Sequence, residues 1–143
     1  MLIGHYFARI GDKGRTALPK KYRQELGEKV ILARWYENCL VVVGTEVWRK
    51  LAGEIAKRPF MVASGRETDR FLSGGAFEIE LDKQGRLVIP ESLRNYAGLK
   101  EEIIFIGLGN RVEIWDSQKW QEYEQYLDEH AEEIAERLGA VGI

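Results

Sequence analysis

A chain of 143 residues, 45% of them hydrophobic, is long enough for one compact domain or two small ones and apolar enough to pack a core. The formal charge of −2 hides an asymmetry: residues 121–143 hold seven acids against one base, Arg137, leaving +4 on residues 1–120. No apolar run approaches the roughly 20 residues that span a bilayer. Met1 to Ile10 lacks the basic start and long apolar stretch of a secretory signal, and the lone Cys39 excludes an internal disulfide, which suits a reducing cytoplasm.

In chain order, Tyr6–Ile10 reads as a strand, followed by a turn and a return strand over Arg15–Leu18 that Pro19 stops. Lys20–Leu26 reads as a short helix ended by Gly27. Strands over Val30–Ala33 and Leu40–Val43 follow, then a helix with Thr45 as its N-cap. Ser64–Phe71 is predicted as a further short helix, and Ser73-Gly74-Gly75 as a boundary between residues 1–73 and 74–143. The order then returns. Phe77–Asp82 alternates apolar and polar residues as a half-buried strand does, and Lys83-Gln84-Gly85 supplies a turn. Arg86–Ile89 is the return strand, and Glu91–Ala97 a helix closed by Gly98. Ile103–Ile106 and Arg111–Trp115 form a strand pair before a long helix capped by Ser117 and ended by Gly139. Its apolar stripe is Trp120, Tyr123, Leu127, Ala131, Ile134 and Leu138.

This return is a duplication. Gly14-Arg15-Thr16-Ala17-Leu18-Pro19 recurs as Gly85-Arg86-Leu87-Val88-Ile89-Pro90, 71 residues on, each copy preceded by Asp and Lys. Tyr6, Ala8 and Ile10 match Phe77, Ile79 and Leu81, and Arg23 and Gly27 match Arg94 and Gly98. Beyond an offset slip of one, Asn38 matches Asn110 and Trp48 matches Trp120. A period near 70 is too long for a solenoid, so two small units are expected. A unit of that size is marginal alone, so the two must share a core or a close interface. The fold class is mainly β with helices.

The repeated turn is the candidate site. Lys13 and Arg15 flank the first tip, with Asp12 between the strands, Arg9 before it and Lys20, Lys21 and Arg23 after it. Asp82, Lys83 and Arg86 make the second, with Arg94 nearby. Lysine suits phosphate as a flexible point charge, and the planar fork of arginine suits guanine O6 and N7. The same residues also make a sound turn in any protein, with Asp82 capping it and Arg86 paired to Asp82. The acidic tail fits the solvated face of a helix, and would also repel nucleic acid from one side.

Asp82-Lys83-Gln84-Gly85-Arg86, the Leu-Val-Ile-Pro that follows, the Ile106–Trp115 segment and the Trp120 helix resemble the MraZ family of bacterial transcriptional regulators, over essentially the whole chain. The resemblance implies two tandem AbrB-like swapped-hairpin units pairing about a pseudo-two-fold core, and a ring-shaped homo-oligomer. It also implies binding to tandem short G-rich repeats in promoter DNA of the division and cell-wall gene cluster, in the cytoplasm at the nucleoid. Its Asp-x-x-x-Arg motif falls on Asp82 and Arg86. In the first half Gly11 stands at the aspartate position and Asp12 comes one residue late, so either Asp12 substitutes or Arg15 loses its carboxylate.

Other classes fit less well. His5 and His130 have no ligand pattern around them, Gly107-x-Gly109 lacks the third glycine of a dinucleotide site, and no catalytic set can be assembled. No enzyme activity, metal, cofactor or small-molecule substrate is expected. Glu78, Glu80 and Asp82 read as a solvated strand face, Cys39 as a core residue, and the four tryptophans as packing residues. The alternative function is a protein-binding, antitoxin-like module on the same hairpin fold.

Overall fold

The computed structural model describes residues 1–57 and 61–142. The first half runs β1 (Leu2–Arg9), β2 (Arg15–Ala17), α1 (Lys20–Leu26), β3 (Lys29–Arg34), β4 (Leu40–Gly44) and α2 (Thr45–Ala56). Helix α3 (Ala63–Leu72) and a 3-10 turn at Ser73–Gly75 lead to the second half. There the order is β5 (Phe77–Glu80), β6 (Arg86–Val88), α4 (Glu91–Ala97), β7 (Glu102–Gly109), β8 (Val112–Asp116) and α5 (Ser117–Ala140). Helices α1 and α4 have the bounds expected from their flanking proline and glycine.

Strand pairing departs from the simple hairpins that the residue pattern suggests. β1 does not lie on β2; it runs antiparallel to β7, from Leu2 opposite Gly109 to Arg9 opposite Glu102. Its counterpart β5 runs along β3, with Lys29 opposite Glu80 and Leu32 opposite Phe77. β2 and β6 leave this sheet and pair with each other. Each hairpin survives as one rung at its tip, where the Gly11 amide donates to the Arg15 carbonyl at 2.8 Å and the Asp82 amide to the Arg86 carbonyl at 3.0 Å. The strands then diverge to the other half. This is the exchange that the swapped-hairpin resemblance implies.

The main sheet has the order β1-β7-β8-β4-β3-β5. It reads the same from either end when the halves are interchanged. A pseudo-two-fold axis therefore passes by Val41 and Glu113, which face each other between Leu40–Ile114 and Val42–Val112. One face of the sheet, together with the inner side of the β2–β6 pair and helices α1 and α4, encloses a single core. Leu18, Tyr22, Val30, Leu32 and Leu40 come to it from the first half and Leu87, Ile89, Leu93, Phe105 and Ile114 from the second. A unit of about 70 residues is marginal alone, and here the main core is built from both halves.

The opposite face carries the two longer helices. Trp48 of α2 packs on Ile31, Ala33, Val41 and Val43, and Trp120 and Tyr123 of α5 pack on Cys39, Ile104, Ile106 and Trp115. Trp35 touches both clusters. Trp115 stacks on Tyr123 with centroids 5.0 Å apart. Burial pushes the Cys39 thiol well above its usual range, consistent with a packing residue.

Three local readings need correction. Thr45 and Ser117 are the first helical residues rather than caps; Gly44 and Asp116 hold the cap positions. The Asp116 carboxylate accepts from the amides of Lys119 at 3.3 Å and Lys100 at 3.1 Å, which a serine hydroxyl one residue later could not reach together. α5 continues through Gly139 to Ala140, because an exposed helix end tolerates glycine at a cost near 1 kcal/mol. Within one chain the apolar stripe of α5 packs on the sheet at Trp120 and Tyr123, and Leu138 is 48% exposed.

A shared core predicts one unfolding event. In urea, tryptophan fluorescence and far-ultraviolet circular dichroism should report a single coincident transition. Leu32→Ala or Leu93→Ala, one in each half, should each lower its stability by about 2–5 kcal/mol. Two separated transitions, each moved by only one of the substitutions, would refute the shared core.

Candidate nucleic-acid interface

β2 and β6 form an antiparallel ribbon of three residues from each half, with Arg15 opposite Val88, Thr16 opposite Leu87 and Ala17 opposite Arg86. Side chains alternate across a strand. Thr16 and Leu87 therefore turn inward and are buried, whereas Arg15, Ala17, Arg86 and Val88 share the outer face. Arg15 and Arg86 are diagonal neighbours on that face, about 7–8 Å apart. The sequence reading placed one arginine on each of two separate tips. Pairing across the halves brings them onto one surface, with the tips at its opposite ends.

The second tip is latched. Asp82 Oδ1 accepts from the amides of Gln84 at 2.9 Å and Arg86 at 2.8 Å, and Oδ2 accepts from Arg86 Nε at 2.8 Å. The hydrogen bond from the Arg86 amide, supported by the Arg86 side chain and the Gln84 amide, holds the Asp82 carboxyl below its ordinary range. Both readings of this pair thus coexist: Asp82 caps the turn, and in doing so fixes the Arg86 guanidinium at the edge of the ribbon.

At the first tip the same two backbone bonds recur, the Gly11 amide to the Arg15 carbonyl and the Gly14 amide to the Gly11 carbonyl, at 2.8 and 3.2 Å. Their second-tip equivalents start and end at Asp82. The register is thus unshifted. Gly11 occupies the aspartate position, and Asp12 does not substitute for it. Among the described residues neither Asp12 nor Arg15 has an ion pair, and the Arg15 side chain is exposed. Without an aspartate accepting the amide two residues on, the turn relaxes differently: Lys13 takes φ 68°, the value a type II turn requires at its third position. Gln84 does not. Both tips then need glycine, Gly14 at φ 76° and Gly85 at φ 75°.

The remaining candidates separate by position. Lys13 and Lys83 lie on the exposed tips, and Lys20 is exposed at the start of α1. Arg9 is paired across the strands with Glu102 at 3.1 Å, on a site exposed enough to make this a weak tie. Arg94 is half-buried and turned inward, its Nε donating to the Ile89 carbonyl at 2.9 Å. Arg23, its counterpart, is likewise half-buried, against Gly85. Sequence reasoning missed the inward set of this pair, although their matched places in the repeat were visible. Among the described residues no three His, Cys, Asp or Glu side chains converge as a metal site, and no helix is long and apolar enough to cross a membrane.

Comparison with known proteins agrees with the internal repeat. The sequence model of the family described as "MraZ protein, putative antitoxin-like" matches twice, over residues 1–71 and 72–140. "Transcriptional regulator MraZ" of Thermoanaerobacter sp. (strain X514) is 43% identical over 143 residues, covering 100% of both chains. The protein of the same description from Clostridium tetani (strain Massachusetts / E88) is 41% identical over 143 residues, again 100% of both. That of Leuconostoc citreum (strain KM20) is 41% identical over 138 residues, 96% of each. With both repeats matched and relatives aligned end to end, the chain belongs to the MraZ family.

Proposed function

We propose that this chain is a transcriptional regulator that binds duplex DNA sequence-specifically through the outer face of the β2–β6 ribbon. The observation that carries this reading is the placement of Arg15 and Arg86 side by side on an exposed two-stranded ribbon. A major groove admits such a ribbon, and arginine is the side chain best suited to guanine there. Ala17 and Val88, on the same face, can meet thymine methyl groups. Lys13, Lys83 and Lys20 border the ribbon as phosphate contacts, and Asp82 pre-sets Arg86. Arg9 adds positive charge at the rim. Because the ribbon takes one strand from each repeat, residues 1–73 and 74–143 act as one reading unit.

The finer expectations follow the family resemblance. The targets are short, G-rich, tandem promoter repeats of the division and cell-wall genes, bound in the cytoplasm at the nucleoid by a ring-shaped homo-oligomer. A closed ring fixes the spacing between ribbons and binds spaced boxes through effective concentration. The acidic α5 would face away from the phosphates. A protein-binding, antitoxin-like role is the second reading, which the wording of the family description favours; a small partner that co-purifies with the chain, together with indifference to the DNA upstream of its own gene, would establish it instead.

Arg86→Ala should weaken binding to that upstream DNA by about 1–3 kcal/mol and relax base preference at one position, read by gel shift against single-base variants. Unchanged affinity in the Arg15→Ala/Arg86→Ala double variant would sink the proposal. Lys13→Ala or Lys83→Ala should instead weaken binding to all sequences alike and reduce the salt slope by about 1.

The latch makes its own predictions. The Asp82 carboxyl should titrate below its ordinary value of 3.8 in an NMR pH series. Because that value is lowered by folding, the contribution of the latch is full above the ordinary value and disappears only as pH falls through the lowered one. A midpoint at or above 3.8 would contradict the latch. Gly11→Asp should build the missing copy, since an added Cβ there meets nothing nearer than the Arg15 carbonyl at 3.6 Å. Amide exchange at Arg15 should slow in that variant, and an unchanged rate would show that the two tips are not equivalent frames.

A further inference from the structure

Arg23 and Arg94 occupy matched places on α1 and α4, 71 residues apart. Each lies beneath the tip of the opposite repeat. A Cβ placed on Gly14 would stand 2.7 Å from the Ile89 carbonyl oxygen and 3.0 Å from Arg94 Nε. One placed on Gly85 would collide with Nη1, Cδ and Cζ of Arg23. The backbone repeats the crossing: the Ile89 amide donates to the Gly14 carbonyl at 2.8 Å, and the Leu18 amide to the Gly85 carbonyl at 3.0 Å. Arg94 Nε, by donating to the Ile89 carbonyl, ties its guanidinium to that junction. Among the described residues the buried Arg23 Nε has no hydrogen-bond partner, and the side chain packs directly on Gly85.

We infer that Arg23 and Arg94 are positioning residues for DNA reading and that they act crosswise. Arg94 of the second repeat sets the first tip and through it Arg15; Arg23 of the first repeat sets the second tip and through it Arg86. This rests on the reading role proposed above for Arg15 and Arg86. It assigns to two basic residues beside the ribbon a task other than phosphate contact. It also makes them unequal. The second tip keeps the Asp82 latch if Arg23 is lost, whereas the first tip, with Gly11 in that place, has no such carboxylate to fall back on if Arg94 is lost.

Two readouts on the full chain test this. In amide exchange, Arg94→Ala should speed exchange at Lys13 and Gly14 and leave Gln84 and Gly85 unchanged. Arg23→Ala should do the reverse, with a smaller effect. In gel shifts on a duplex of the DNA upstream of its own gene, Arg94→Ala should add no more than about twofold to the loss caused by Arg15→Ala, and should multiply fully with Arg86→Ala; Arg23→Ala should couple only to Arg86→Ala. Direct phosphate contact predicts another result: each arginine multiplies with both readers, each removal lowers the salt slope by about 1, and tip exchange is untouched. That result, or exchange effects confined to the arginine's own repeat, overturns the crossed brace. If an alanine variant does not fold, Arg94→Lys and Arg23→Lys keep the charge but not the planar fork, and the same crossed pattern is required of them. If Arg15→Ala and Arg86→Ala leave DNA binding unchanged, the proposed function falls first; the exchange pattern then decides the brace alone, as a structural device.

Discussion

The pairing of β2 with β6 is the interaction on which the rest of the molecule depends. These strands are three residues each, too short to hold together as an isolated ribbon. They persist because Leu87, with Leu18 and Ile89 at the strand ends, closes a core built from both halves. That ribbon can form only if the first strand of each half crosses to the third strand of the other. Strand exchange, shared core and exposed arginine face are thus one arrangement. An unswapped version of the same sequence would leave two marginal units and place the two arginines on unrelated surfaces.

Within this symmetry the two tips have drifted apart. Gly85-Arg86 is approached by a carboxylate that accepts three hydrogen bonds, and Gly14-Arg15 is not. Among the described residues the Arg86 side chain is held by an ion pair and the Arg15 side chain is not. A held side chain loses less freedom on binding and favours discrimination; a free one adapts to varied partners at an entropic cost. A duplicated chain can separate these properties in a way that a symmetric dimer of identical halves cannot.

Much of this was legible in the residues. The doubled Gly-Arg phrase, its prolines and its closing glycines marked both short helices, the turns and the duplication, because proline and glycine act locally. The apolar runs at Val30–Ala33 and Ile103–Ile106 marked strands, since a short run of apolar residues is likewise a local signal. Partner choice was not legible, since Tyr6–Ile10 alternates in the same way whether it pairs with β2 or β7. The placement of Arg15 and Arg86 on one face follows from that choice and was hidden with it. The cap of α5 was misplaced by one residue because Asp116 serves two amides at once, one of them from the loop before β7. The resemblance to a family supplied the swap; the residues alone supplied only the need for a shared core.

DNA reading is proposed for the outer face of the β2–β6 ribbon. The most direct test is an NMR titration of the full chain with a duplex of the DNA upstream of its own gene. Amide shifts should move first and furthest at residues 12–17 and 83–88, with α5 beyond Tyr123 unmoved. Shifts concentrated on α2, α3 or α5, with the ribbon silent, would contradict it.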